Sequence, residues 1–390
     1  MSLKSHSRTL VQLSALLCAN AWAAEPQNLP QSIKLADGLN FTPTLQVSER
    51  YDDNFREREK DVDASWITSI APRFAIGAKG NKASYELSYK ADTDIFHSSS
   101  KDNNTDHYLD GTASLDFNVR NRVRFDAGYE KVEETASLDQ QIENDKYTRS
   151  HVGGLYTYGA RTATGNIEFS GDYSQLRYQN SGTLNNDKER DVVALASTFY
   201  VRVAPRTRLL VEGRYNDFDY VSNTRLNSVG MALLGGVEWE ATAKTSGSIK
   251  IGGERKNYDD SEVGAKSGSL WEVGASYKPR TYSTFSLKTR HHLDEGTDGA
   301  STIDSLSTTV DWEHEWLTRF STKVFYTHGD GQYRNIERED KYNAYGVRAN
   351  YQARRWLGFS LGYNFKKNDS TAINESFERN VYTIGVNASL

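Results

Sequence analysis

The feature that most constrains this chain is the alternation of apolar and charged residues in long ribbons. In the ribbon KASYELSYKADTDIF, Tyr85, Leu87 and Ile95 share one face, whereas Glu86 and Asp94 lie on the other. A period of two is typical of a β-strand whose faces meet different environments. The fold must therefore give each ribbon one apolar and one polar surface.

The N-terminus has the form of a secretory leader. Lys4 and Arg8 precede the apolar run LVQLSALLCANAW, and a small-x-small pattern ends at Ala23. The apolar run is too short for a membrane helix and is followed by polar sequence. We predict that residues 1–23 are a signal peptide, and that the exported chain begins AEPQNLPQ.

Composition excludes several classes of protein. The one cysteine, Cys18, lies in the predicted leader, so the exported chain has no disulfides, and Leu17 before it argues against lipid attachment. The net charge is −5 and becomes more negative without Lys4 and Arg8, which argues against a nucleic-acid partner. With 23 tyrosines, 29 glycines, only 6 prolines and no helical period, the chain is predicted to be all-β.

Two kinds of turn alternate along the chain. Short turns such as AKGNK, VAPRT and ARRWL recur about every 40 residues, and longer polar connections such as HSSSKDNNTD and KNDSTAINE lie between them. This rhythm gives about nine hairpins and hence about 18 strands. A β-propeller could show the same period, but its strands are usually ~5–6 residues long, and these ribbons are about twice that length.

A closed barrel in a membrane satisfies both faces of the ribbons. In lipid every backbone N–H and C=O must be paired, which a closed sheet achieves, and the charged face then lines a water-filled lumen. We therefore predict a transmembrane antiparallel β-barrel in contact with the lipid of a Gram-negative outer membrane. Residues 41–390 would form the barrel, with short periplasmic turns and longer outer loops, and residues 24–40 a periplasmic segment.

Aromatic residues and the C-terminus agree with this prediction. The last residues, TIGVNASL, have Thr383, Gly385, Ala388 and Leu390 at the spacing that the outer-membrane insertion machinery reads, although an aromatic residue is typical at the end. The insertion machinery is therefore an expected partner. Aromatic residues near the short turns suit a girdle at one membrane interface. They are Trp239, Tyr277, Trp312, Trp316 and Trp356.

The charged face of the ribbons supplies the candidate functional residues. Rings of charge in a pore set its preference for ions and solutes, so we predict that the inward charged residues line the lumen and control selectivity. Asp311, Glu313 and Glu315 form an acidic ladder, for which screened charges in a wet pore are favoured over a metal site. The predicted lining residues are Glu86, Lys90, Asp92, Asp94, Arg124, Asp126, Glu130, Glu168, Asp172, Arg208, Glu212, Arg214, Glu238, Lys250, Glu254, Lys256, Glu272, Lys288, Arg290, Asp311, Glu313 and Arg348.

Motifs of catalysis and cofactor binding are absent from the exported sequence. It has no GxSxG, HExxH, phosphate-binding loop or cysteine cluster, so we expect neither enzymatic activity nor a cofactor. The stretch DNNTD spaces Asp102, Asn104 and Asp106 as a calcium loop begins. However, His107 stands where such a loop needs glycine and Ala113 where it needs glutamate, so a solvated loop is favoured.

The first third of the chain carries the sharpest family signal. YDDN at Tyr51–Asn54 follows the first ribbon, Ala71 and Pro72 begin an apolar strand, and YELSYKAD follows. In these stretches the chain resembles the Putative beta-barrel porin 2 family. The resemblance implies an outer-membrane barrel, often encoded beside genes for exopolysaccharide or capsule synthesis, and therefore a role in polymer export.

Three functions remain open from the sequence. The first is a pore that passes an exopolysaccharide or capsular polysaccharide, coupled to periplasmic export components through residues 24–40 and the short turns. The second is a general or oligosaccharide diffusion porin for small hydrophilic solutes. The third is a structural or adhesive barrel whose outer loops bind surfaces.

Overall fold

The computed structural model describes residues 32–135, 143–242, 244–297 and 299–389, which form one antiparallel sheet. The predicted signal peptide with Cys18, residues 24–31 of the predicted segment 24–40, and Leu390 lie outside the described residues. Within the described ranges no helix has the length and apolar character needed to cross a bilayer.

The strands are long, as the ribbons in the sequence predict. In order along the chain they are β1 (Ile33–Ala36), β2 (Leu39–Asp52), β3 (Ser65–Lys79), β4 (Ala83–Phe96), β5 (Asn104–Asp116), β6 (Asn121–Glu134), β7 (Asp145–Tyr158), β8 (Gly165–Tyr178), β9 (Arg190–Ala204) and β10 (Thr207–Tyr220). They continue with β11 (Ser228–Thr242), β12 (Thr245–Tyr258), β13 (Lys266–Arg280), β14 (Ser283–Glu295), β15 (Thr302–Leu317), β16 (Phe320–Tyr333), β17 (Arg338–Arg354), β18 (Leu357–Ser370) and β19 (Phe377–Ser389). Three short 3-10 turns lie in loops, at Ser100–Asp102, Asn186–Lys188 and Thr224–Leu226.

The sheet closes on itself. Each strand from β2 to β19 pairs with the next, and β19 returns to pair with β2, from Val381 opposite Asp52 to Ser389 opposite Thr44. The predicted barrel of 18 strands is therefore confirmed, and β2 to β19 are the strands that form it. Closure leaves the barrel without an unpaired edge.

The short strand β1 lies just before the barrel. It pairs with the first residues of β2, Ile33 opposite Phe41 and Ala36 opposite Leu39, on a stretch of β2 that β19 does not reach. β2 begins at Leu39, so the predicted boundary between residues 40 and 41 falls inside this strand.

Connections alternate between short and long, as the sequence predicts. Residues 80–82, 205–206 and 355–356 form tight turns at one end of the barrel, whereas residues 53–64 and 179–189 form long loops at the other. The barrel's first and last strands both start or finish at the short-turn end. In an outer-membrane barrel this end faces the periplasm.

The pleat separates an apolar outer surface from a polar inner one. Leu87 is 54% exposed on the outside, whereas its neighbour Ser88 is 7% exposed and faces inward. Arg214 on β10 reaches Glu272 on β13 from this polar face. Since contacts that skip strands form on the concave side of a closed sheet, the polar face is the lumen.

Aromatic rings form a row on the outer surface near the short turns. The ring of Phe285 stacks between Tyr277 at 6.5 Å and Trp312 at 5.8 Å, and Trp316 packs edge-on at 6.2 Å from Trp312. Such rows place amphipathic rings at the depth of lipid headgroups. Trp356, in the neighbouring short turn, is also exposed.

A pair of adjacent substitutions tests which face meets lipid. Leu361, in the middle of β18, points outward and is 60% exposed, and Ser360 beside it points into the lumen. We expect Leu361→Arg to lower the unfolding free energy by about 2–4 kcal/mol, because it places a charge among acyl chains. Ser360→Arg should cost less than about 1 kcal/mol, since its charge stays in water. Urea titration of barrels folded into lipid vesicles measures both, and equal costs would contradict the assigned faces.

Candidate functional site in the barrel lumen

The strand register places the predicted lining residues on inward faces. Direct cross-strand pairs such as Arg208 with Glu238 and Lys250 with Glu272 keep the assignment consistent from strand to strand. Whether these residues select solutes stays a prediction. They are Glu86, Lys90, Asp92 and Asp94 on β4; Arg124, Asp126 and Glu130 on β6; Glu168 and Asp172 on β8; Arg208, Glu212 and Arg214 on β10; Glu238 on β11; Lys250, Glu254 and Lys256 on β12; Glu272 on β13; Lys288 and Arg290 on β14; Asp311 and Glu313 on β15; and Arg348 on β17.

Five of these residues form one ion-pair network in the wall of β10 to β14. Arg214 donates to both carboxylate oxygens of Glu272, at 2.8 and 2.9 Å. Lys250 donates to the fully buried Glu212 at 2.7 Å, and the Arg290 Nε lies 3.3 Å from Glu272. A forked arginine–carboxylate pair fixes geometry as well as charge. The network therefore holds the side chains of this wall in place and leaves it little net charge.

A second paired wall lies on β2 to β4, about half-way round the barrel. Arg50 forms a forked pair with Asp94, with Nη2 at 2.5 Å from the carboxylate, and Arg73 contacts Glu86 at 3.0 Å. Sequence analysis predicted Glu86 and Asp94 but missed both arginines. The sequence did contain a signal for them, because Arg50 and Arg73 stand at inward positions of the alternation in β2 and β3. Their partners across the strands are Ile67 and Thr44.

The wall of β5 to β8 is acidic. Asp110, Asp126 and Asp172 face inward around His151, whose Nε2 is 3.7 Å from Asp126, and in the described part of the chain no lysine or arginine forms an ion pair with these carboxylates. Gly153 makes room, because a Cβ there would lie 2.8 Å from Asp126 and 3.0 Å from Asp172. Among the residues described, no group has a metal-binding arrangement.

The first outer loop, residues 53–64, folds into the mouth of the barrel. The ring of Phe55 packs 5.1 Å from Phe96 and against Ile67, and all three side chains are buried on the lumen side. Glu57 accepts from Arg379 on β19 at 2.7 Å and lies 3.6 Å from Lys366 on β18. The loop therefore bridges from β3 and β4 to the last two strands of the barrel.

Further contacts fix this loop. Arg56 pairs with Asp102 of the next outer loop at 2.5 Å, and Asn54 donates to the backbone carbonyl of Glu378 at 2.9 Å. Glu57 itself has a left-handed backbone, with φ of 55°, a conformation that a non-glycine residue adopts only where its surroundings hold it. The ion pairs of Glu57 supply that restraint.

Other outer loops are tied to each other and to the wall. Tyr220 donates to Glu295 at 2.6 Å, and Lys256 forms a buried ion pair with the same carboxylate. Outside the membrane, the backbone N–H of Glu262 and the Arg225 guanidinium both hydrogen-bond Asp260 and hold the pKa of this carboxyl below its usual value. The loops at this end are therefore cross-linked rather than independent.

Cations lie over aromatic rings on the inward faces, near the outer mouth for Arg338 and Lys256 and near a short turn for Arg208. Arg208 lies 4.4 Å from the ring centre of Tyr200, Arg338 lies 4.4 Å from that of Tyr333, and Lys256 lies 4.3 Å from that of Phe218. Sequence analysis assigned aromatics to the outer girdle and missed these. In the sequence, each of these rings could be recognised as an aromatic residue at an inward position of the alternation, where polar residues are usual.

Removing the central ion pair of the first loop should open the mouth. In Arg379→Gln the buried Asp52 loses its cation and Glu57 loses the nearer of its two cations, and breaking a buried pair costs about 3–5 kcal/mol. We expect the loop to leave the lumen, which would increase single-channel conductance and expose the buried Arg56 to trypsin. Glu378→Gln, one residue away on the outer face, is the matched control and should change neither. Unchanged conductance and cleavage in Arg379→Gln would show that the loop does not depend on this pair.

Solved barrels from Pseudomonas aeruginosa share this architecture. The structure of OpdK with vanillate is 12% identical, with a TM-score of 0.51, over 90% of this chain and 99% of that one. OccK2 (OpdF) gives the same identity and TM-score over 90% and 98%. The siderophore receptor PirA is 11% identical, with a TM-score of 0.48, over 90% and 80%. Identities this low show similarity of fold alone. No curated protein sequence matches the chain.

The family comparison covers the whole barrel. Putative beta-barrel porin 2 matches residues 39–390, from the first residue of β2 to the C-terminus. The match confirms the resemblance that the first third of the sequence indicated. Closed architecture, apolar exterior and polar lumen are those of an outer-membrane channel of porin type. The chain belongs to the Putative beta-barrel porin 2 family.

Proposed function

We propose that this barrel passes an exopolysaccharide or capsular polysaccharide across the outer membrane. The observation that carries the proposal is the pairing of charge in the lumen wall, as in Arg214 with Glu272 and Arg50 with Asp94. Barrels of about 16–18 strands enclose an aqueous channel. Here much of the channel wall is polar, and the walls on β10 to β14 and on β2 to β4 hold little net charge.

A wall of this kind suits a long hydroxyl-rich chain. Conduction requires binding strong enough for entry and weak enough for release, and a polymer touches the wall at many points at once. Paired charges still accept and donate hydrogen bonds at their free positions but exert weak fields at a distance. The family resemblance, which implies polymer export, supports the same conclusion. Coupling to periplasmic export components at the short-turn end is part of the proposal.

A diffusion porin for small hydrophilic solutes is the second candidate. The specific observation in its favour is the inward loop of residues 53–64, because Phe55 and Glu57 narrow the mouth. A fixed constriction favours small solutes over a polymer. If the ion pair of Arg379 with Glu57 breaks and the loop moves aside, the same barrel admits larger molecules.

Deleting the gene tests the proposal directly. We expect extracellular polysaccharide to fall sharply and to return on complementation with the wild-type gene. Complementation with Lys288→Cys, followed by a bulky thiol-reactive polyethylene glycol, should block export, because Lys288 is exposed in the lumen and the exported chain is predicted to have no other cysteine. Lys367→Cys, on the outer rim, is the control. Unchanged polymer with lowered uptake of small sugars would reject polymer export in favour of the porin.

A charge reversal tests whether ions sense the lumen wall. Lys288 is exposed on the inward face of β14 and belongs to none of the ion pairs of the described chain, so Lys288→Glu changes the local charge by two inside a space comparable with the Debye length of about 10 Å. We expect the cation-over-anion permeability ratio to rise by about twofold. Reversal potentials across a planar bilayer under a salt gradient measure this ratio. Lys367→Glu makes the same change outside the lumen and should leave it unaltered.

A further inference from the structure

One sector of the lumen differs from the ion-paired walls. On β18 the inward residues from Gly358 to Asn364 are uncharged, and on β19 so are those from Val381 to Ser389. Among the adjoining inward residues, Thr44 and Gln46 on β2 and Asn350 on β17 add amides and a hydroxyl, and Arg50 and Arg348 flank this surface at the level of Thr383. We call this surface the amide–hydroxyl track and define it by Thr44, Gln46, Asn350, Asn364, Thr383 and Asn387.

We infer that the amide–hydroxyl track is a binding surface for the hydroxyl groups of a carbohydrate chain. The inference deepens the proposed function and rests on it for the identity of the passing polymer. Amide side chains both donate and accept, as sugar hydroxyls do, and neutral partners bind more weakly than charged ones. A track of such groups therefore lets a hydroxyl-rich chain slide from contact to contact.

The side chains of the track are left without hydrogen-bond partners among the described residues. In the described part of the chain, the side chains of Gln46, Asn387 and Thr383 form no hydrogen bond, whereas the charged residues of the β10 to β14 network are ion-paired. The Asn364 Oδ1 is buried and lacks a partner. Unused polar groups that line a lumen must bind water or solute, since leaving them unbonded is costly.

Glycines let neighbouring polar side chains pack close to the backbone of the track. Gly346, Gly358, Gly362 and Gly385 all take inward positions on β17 to β19. A Cβ at Gly385 would lie 2.6 Å from the Ser360 hydroxyl, and one at Gly358 would lie 2.9 Å from the Gln352 Oε1. The space that larger side chains would need is therefore filled by Ser360 and Gln352, whose polar groups add to the surface of the track.

A cavity marks the periplasmic end of the same surface. It has a volume of about 700 Å³, within the usual range for ligand sites, and Thr44, Gln46, Asn350 and Asn387 all line it. Inward residues of one strand then recur about every 7 Å toward the outer mouth. Near that mouth the track meets Lys366 on β18, one of the two cations that hold Glu57 of the inward loop. The track therefore runs from the periplasmic opening to the constriction.

Sugar blockade of single channels tests the inference. Maltoheptaose, added to the periplasmic side of the protein in a planar bilayer, should interrupt the ionic current of the wild type. In Thr383→Val/Asn387→Leu the residence time of each blockade should fall about tenfold, because two hydrogen-bonding side chains are lost. The open-channel current without sugar should stay close to that of the wild type, which shows that the barrel has folded.

A matched control separates the track from the rest of the lumen. Thr112→Val/Asn216→Leu makes the same chemical change at inward positions of β5 and β10 and should keep the wild-type residence time. Equal residence times in wild type and track variant, or equal loss in both variants, would overturn the inference. If blockade depends on the track while gene deletion leaves polymer export unchanged, the carbohydrate site stands and the proposed export function fails. If deletion abolishes export but the track variant keeps the wild-type residence time, only this inference fails.

Discussion

A backbone N–H or C=O inside a bilayer has no water to bond, and this constraint governs the whole chain. A sheet can satisfy it only by closing, and here closure depends on the pairing of β19 with β2. Once the sheet is closed, the period of two assigns every residue to lipid or to water. The apolar exterior, the charged lumen and the alternation of turns are therefore consequences of one requirement on the backbone.

The lumen shows how a barrel handles many charges in a confined space. Each charge on the inner wall stands among other side chains and cannot be fully hydrated, so a partner from another strand of the wall lowers the free-energy cost of its burial. Arg214 with Glu272 and Arg50 with Asp94 are such partners. The acidic wall around Asp126 and the neutral track near Asn387 differ in kind. Three types of surface thus share one lumen, and a passing solute meets all three.

The fold was predictable because its determinants are local. Strand number, turn lengths and the face of residues such as Glu86 follow from alternation and turn composition alone. The inward loop was not predictable, because its place depends on Glu57 meeting Arg379 from the other end of the chain. For the same reason the sequence showed Asp94 as a lumen charge but not its partner Arg50. The neutral track was not predicted because its side chains carry no charge, although they follow the same alternation.

The connectivity of the strands also has a consequence for assembly. Nearly every strand pairs with its neighbours in sequence, so hairpins such as β9 with β10 close short loops and can form early and quickly. The contact of β19 with β2 is different, because it joins residues separated by almost the entire barrel. Until β19 has been delivered, β2 keeps an open edge that can pair with another chain. The interval before closure is thus the period in which this protein most needs a chaperone.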